Sequence, residues 1–292
     1  MEKVVGSVSA VLITGCVVTL AMSLSPVAGN ERAHHKVNVG LQLYSLRVQF
    51  PKDVPGTMAE IEKWGISDVE AASFYGLSAR EFREQLDQHH LHASGAHFEW
   101  ERFASDIDGV IRDAHVLGCK YVTVPWIPHN GTFTLKHARM AVKSFNEWGA
   151  KCRAAGLSFT YHPHGYEFKT HGDGTLFDVI AQETKAEDVN FELDIFWAYD
   201  GGADPVKLMR NYPTRFKQMH LKDMNKSVKR PNYTGHENVN NDVTLGTGQL
   251  DLPAILAEAE EIGIRHYYIE DESDTSERQI PRSIRYIRSI GF

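Results

Sequence analysis

The sequence predicts a single (β/α)8 barrel, and three observations carry that expectation. From residue 37 onward, short runs rich in valine, isoleucine and aromatics alternate with longer segments of helical period. Eight such strand–helix units can be counted, over about the 250 residues that a closed barrel of this kind needs. No glycine-rich phosphate loop follows the first run, so the alternative, an open doubly wound sheet that binds a dinucleotide, loses weight.

In chain order the strand-like runs are VNVGLQLY (37–44), SDVEA (67–71), LHASGAH (91–97), KYVTVP (120–125), LSFTYH (157–162), NFELDI (190–195), FKQMHL (216–221) and HYYIED (266–271). Between them TMAEIEKWG, SAREFREQLDQHH, IDGVIRDAHVLG and LPAILAEAEEIG place apolar residues three and four apart, with a glycine at several of their ends, the pattern of amphipathic helices. No linker divides residues 37–292, which read as one domain. One stretch is too long for an ordinary strand-to-helix connection: MNKSVKRPNYTGHENVNNDVTLGTGQ, residues 224–249. In a barrel it falls beside the catalytic face, where long loops are commonly functional.

The first segment stands apart from the fold. MEKVVGSVSAVLITGCVVTLAMSLSPVAGN has a short charged start, an apolar run and small residues at its end, the layout of an export signal over residues 1–29, cut near Val27-Ala28-Gly29. Two variants of that reading are lipidation at Cys16 within ITGC and a retained membrane anchor. Each places the remaining chain outside the cytoplasm, in the periplasm, with membrane contact through this segment alone. Beyond it only Cys119 and Cys152 remain, enough for one bridge but not for a disulfide framework or a cysteine zinc site. The net charge of −7 argues against a nucleic-acid groove, which needs a basic surface.

Active sites of such barrels are built at the C-terminal strand ends, so those ends are read together. The fifth run ends in His162 and His164 with Glu167 beyond, the sixth carries Glu192 and Asp194, the seventh His220 and Lys222, and the eighth Glu270 and Glu272. Residues two apart share a strand face, so one member of each pair reaches the mouth. Mixed imidazole and carboxylate donors suit Mn2+ first, then Zn2+, Co2+ or Fe2+, ahead of Mg2+ or Ca2+. Each residue also has a plainer reading: Glu192 in a buried ion pair, Asp271 and Glu272 capping a loop, Lys222 as a surface charge. Gln42, Tyr44, Glu70, His97, Trp126 and Trp197 complete a pocket of polar groups and aromatic walls fit for a sugar, although both tryptophans also suit a core.

The stretches GLQLYSLR (40–47), WGISDVE (64–70), LGCKYVTVPW (117–126), YHPHGYEF (161–168), FELDIFWA (191–198), MHLKDM (219–224), GTGQLDL (246–252) and YIEDE (268–272) resemble the xylose isomerase-like TIM-barrel superfamily of sugar phosphate isomerase/epimerase-type proteins. The resemblance implies a divalent metal held from strands five to eight, commonly by Glu, Asp, His and Glu. Asp194, His220 and Glu270 match three of those positions, and Glu167 is taken as the fourth, with His162 and His164 as alternatives. The activity expected is a metal-dependent sugar isomerase or epimerase working through an enediolate, with Glu167 and Glu270 exchanging protons and His162, His164 and Lys222 assisting. The alternatives are a lyase or hydratase on a keto-sugar or 3-keto-glycoside, and a non-catalytic sugar-binding barrel. Lys226, Lys229 and Arg230 in the long loop offer a phosphate contact, and the oligomeric state stays open.

Overall fold

The computed structural model describes residues 1–4, 6 and 39–292. The apolar run of the expected export signal, with Cys16 in it, lies outside the described residues. Each expected run supplies one strand: β1 (Val39–Gln42), β2 (Asp68–Ala71), β3 (His92–His97), β4 (Tyr121–Val124), β5 (Ser158–Tyr161), β6 (Val189–Asp194), β7 (Phe216–Leu221) and β8 (His266–Ile269). All pair in parallel, and β1 joins β8 with Val39 opposite Tyr267, so the sheet closes into an eight-stranded barrel.

The helices α1 (Val54–Lys63), α2 (Ala79–Gln88), α3 (Trp100–Leu117), α4 (Leu135–Ala154), α5 (Leu176–Glu183), α6 (Ile195–Asp200), α7 (Pro205–Asn211), α8 (Leu252–Ile262) and α9 (Ser276–Ser289) connect them. Their starts are set locally: Ser78 and Glu81 form a reciprocal cap on α2, and Thr175 and Asp178 do the same on α5. Their apolar faces pack on the outward strand residues, for example Phe103, Phe145 and Trp148 around Phe159. Among the described residues no helix is long and apolar enough to cross a membrane. Cys119 and Cys152 are buried free thiols, so no bridge joins them.

The barrel interior is polar rather than aliphatic. Thr123 and Thr160 share a hydrogen bond of 2.6 Å, Thr160 donates to Gln218 at 3.1 Å, and Gln218 donates to Glu70 at 3.1 Å. A Cβ at Gly95 would stand 2.7 Å from the Gln218 amide nitrogen, so only glycine lets this layer cross the barrel. Paired in this way, buried polar groups stiffen a core instead of weakening it. The long loop is partly ordered by its own pairing, Asp223–Met224 antiparallel to Asp242–Val243.

Candidate metal centre

Strand alternation sorts the candidates. On β7, Gln218 and His220 point inward and Lys222 follows them; on β6, Glu192 and Asp194 do so, and beyond β5, His162 and His164 continue the inward face of Thr160. The result is a group of four donors, His162, Asp194, His220 and Glu270, all buried, whose ligating atoms lie within 4.8 Å of one another. His220 Nδ1 is 3.7 Å from Asp194 Oδ2 and 3.3 Å from Glu270 Oε2, while His162 Nε2 is 3.4 Å from Asp194 Oδ2. Donors about 2.1 Å from a shared tetrahedral ion stand about 3.4 Å apart, so the spacing is that of a ligand shell.

The surrounding bonds hold these atoms ready. His220 Nε2 is 2.7 Å from the Glu70 carboxylate, which leaves Nδ1 facing the group without a hydrogen-bond partner. Carboxylate-backed imidazoles of this kind are the usual support of metal-bound histidine. Asp194 caps α6 by accepting the Trp197 N–H on Oδ1 at 2.9 Å, which frees Oδ2 for the group. Burial alone would raise the Glu270 carboxyl, but Lys222 and His220 hold it at about 2, and His162 and His220 keep Asp194 well below the carboxylate range. Burial opposes a proton on His220, yet Glu192 and Glu270 hold its pKa well above the ordinary value, so a dication entering here displaces that proton.

Behind the first group lies a second, Glu70, His97, Glu192 and His220, joined to it through His220. Here the spacings are those of hydrogen bonds: His97 Nε2 is 2.8 Å from Glu192 and 3.1 Å from Glu70. Burial works against charge on His97, but the two carboxylates raise it to about 10, so it carries a proton between them. Gln42 donates to Glu70 at 2.7 Å. Gln42 and Glu70, expected to touch substrate, are fully buried beneath the cavity and instead brace its floor. Glu192 is likewise in the buried ion-pair position.

Glu167 departs from its expected place. A φ of +95° at Gly165 turns the chain into the single 3-10 turn Tyr166–Phe168, which carries Glu167 to the outward face of β5. There it accepts from the Tyr161 hydroxyl and from the His164 backbone N–H at 3.2 Å, and burial pushes it up to about 7. It is not among the four grouped donors, and His162 occupies the strand-five position instead.

The group opens into a cavity of about 360 Å³ lined by His162, His164, Lys222 and Glu270, and also by Tyr44, His97, Trp126 and Trp197. His164 Nδ1 lies 3.3 Å from the His162 carbonyl oxygen, so Nδ1 carries the proton and Nε2 keeps its lone pair. Lys222 is buried, bonded to Glu272, and 3.5 Å from both Asp242 and Glu270. Trp126 is stacked with His129 and with His236 of the long loop. His236, Glu237 and Asp242 also line the cavity and were not singled out in the sequence; the length of residues 224–249 was the one signal that pointed to them. Lys226, Lys229 and Arg230 are exposed and do not line it.

Among solved structures, a sugar phosphate isomerase/epimerase from Parabacteroides distasonis superposes with a TM-score of 0.71 at 23% identity, covering 86% of this chain and 98% of that one. A second protein of the same description and organism gives a TM-score of 0.71 at 24% identity, covering 91% and 98%. The IOLI protein, solved with a bound zinc atom, gives 0.65 at 15% identity, covering 87% and 97%. At these identities the likeness is one of fold. A comparison with curated proteins finds no match. The model of the xylose isomerase-like TIM barrel matches residues 58–290, nearly the whole barrel, and the chain belongs to that family.

Proposed function

We propose that the chain is a divalent-metal-dependent enzyme that moves a proton beside the carbonyl of a sugar, as an isomerase or epimerase. The observation that carries this reading is the grouping of His162, Asp194, His220 and Glu270 at the floor of a cavity walled by aromatic and polar side chains. His162, not Glu167, is the proposed strand-five ligand. Two imidazoles and two carboxylates move the preference from Mn2+ toward Zn2+, Co2+ or Fe2+. A bound dication supplies Lewis-acid stabilisation of the enediolate that forms when a proton leaves the carbon next to a carbonyl.

The protein's own groups do the rest. His164 presents an unprotonated Nε2 to the cavity and takes the proton. Lys222, a buried ammonium beside Asp242, Glu272 and Glu270, donates to a sugar oxygen, and Tyr44 and Trp197 orient the sugar ring. A cationic acid and a neutral base in one cavity also serve an elimination, in which His164 takes the proton and Lys222 protonates the departing oxygen, so a lyase is the second reading.

The test is to incubate metal-loaded protein with a panel of ketoses and keto-glycosides in D2O and follow them by mass spectrometry and NMR. Deuterium next to the carbonyl with the formula unchanged is the expected result. Release of water or an alcohol selects the lyase, and binding with neither outcome leaves a non-catalytic barrel.

A further inference from the structure

The charge around the cavity bears on which sugars enter it. Its wall carries the carboxyl groups of Glu99, Glu237, Asp242, Glu270 and Glu272 against two cations, the Lys222 ammonium and the protonated His97. That ammonium is already engaged by Glu272, Asp242 and Glu270. The cations of the long loop do not reach the wall: Arg230 lies 3.4 Å over the Tyr199 ring and donates to the Tyr199 carbonyl at 3.2 Å. Burial, opposed by Lys222 and reinforced by the Glu272 charge, lifts Asp242 well above the carboxylate range, so the negative charge of the wall comes from Glu99, Glu237, Glu270 and Glu272.

A dication on the floor does not reverse this balance. Its two charges are met by Asp194 and Glu270, and the proton on His97 is met by Glu70 and Glu192 behind it. Glu99 and Glu237 stay uncompensated by any formal cation of the wall. Glu237 is also fixed in place, accepting from the Asn232 amide at 3.1 Å, the Asn241 amide at 2.6 Å and the Asn238 N–H at 3.1 Å. The wall offers a phosphate no free guanidinium or ammonium group, and like charges facing each other across a contact are strongly unfavourable. A neutral ring meets a different wall. Trp197 and Trp126 line the cavity with aromatic surface, on which the apolar face of a neutral sugar ring stacks.

We infer that the site takes sugars bearing neither phosphate nor carboxylate, and that Glu237 on the long loop is a specificity residue that turns anionic sugars away. The inference rests on the sugar reading above and narrows its substrate class. Glu237 touches none of the proposed metal ligands, so its effect is separable from metal binding.

The experiment is calorimetric titration of the metal-loaded full chain with matched pairs: D-fructose and D-fructose 6-phosphate, D-glucose and D-glucose 6-phosphate, D-galactose and D-galactose 6-phosphate. The neutral member of each pair that binds is expected to bind at least about tenfold more tightly. In Glu237→Lys that gap should close about tenfold while metal content stays the same. A phosphate ester that binds as tightly as its neutral twin overturns the inference, as does the absence of binding by every neutral sugar or an unchanged gap in Glu237→Lys. Neutral preference without deuterium exchange would sink the proton-transfer reading and leave the specificity assignment standing.

Discussion

His162 and Glu167 differ by five positions, and both fit a metal shell by residue type. What separates them is Gly165, whose positive φ sends Glu167 to the Tyr161 hydroxyl on the outward face. His162→Ala should therefore lose the ion, and Glu167→Gln should keep it, read by metal analysis of the purified variants. The reverse pattern would restore the ligand set expected from the sequence. Glu70→Gln, which leaves every ligand in place but weakens the backing of His220, should cost about 10–100-fold in metal affinity, measured by competition with a chromogenic chelator. Asp194, His220 and Glu270, expected from the family resemblance, lie in the group of four donors because each stands at the C-terminal end of an inward-facing strand run. Gln42 and Glu70 were misplaced because the two-residue period of a strand cannot tell the top of the barrel interior from the layer beneath it.

Asp200 is a residue that no motif marks. It is fully buried, and neither carboxylate oxygen has a hydrogen-bond partner, the nearby Asn232 amide standing outside bonding geometry. Burial, with the Glu237 charge adding to it, pushes its pKa to about 7, above the value in an unfolded chain. The native state then binds this proton more tightly than the unfolded state, so stability from this group is present at low pH and falls as pH rises from about 4 to 7. Asp200→Asn should flatten that slope in urea titrations at pH 5 and pH 8. An identical slope in the variant would mean that the buried carboxyl is not the titrating group.

At the level of elements, the eight strands were read within a residue or two because buried parallel strands are short apolar runs bounded by turns. The loop of residues 224–249 could be flagged by length but not drawn, since its shape depends on one side chain outside the run. Asp223 accepts the backbone N–H groups of Met224, Gly246, Gly248 and Leu250 at 2.8–3.2 Å and so gathers both ends of the loop. At the loop's centre, Gly235 sits against Trp126, where a Cβ would come within 2.8 Å of the indole. Asp223→Ala should free the loop while leaving the four donors in place. Limited proteolysis within residues 224–249 should accelerate and sugar affinity should fall, with metal content unchanged; a cleavage rate equal to the parent's would refute this role.

For the molecule as a whole, the alternation of runs and helical segments announced the barrel because closure needs nothing beyond eight repeats of one unit. The N-terminal signal is proposed from its own layout and calls for a separate test. Mass spectrometry of protein from the native host's periplasm should find residues 1–29 absent, whereas soluble cytoplasmic protein beginning at Met1 would remove the export assignment.

The four donors stand at the ends of four successive strands, from His162 to Glu270, and no two of them are neighbours in the chain. Until β5 to β8 are side by side there is no site, so an ion cannot be captured by the unfolded chain and carried along. Under the export proposed above, the chain would cross the membrane unfolded and meet its ion only after crossing. The intrinsic affinity of two imidazoles and two carboxylates rises along the first row toward copper, so metal availability weighs heavily in which dication is bound. For the proposed site, geography would then decide the ion: the dication at hand where the last strands meet would be the one retained.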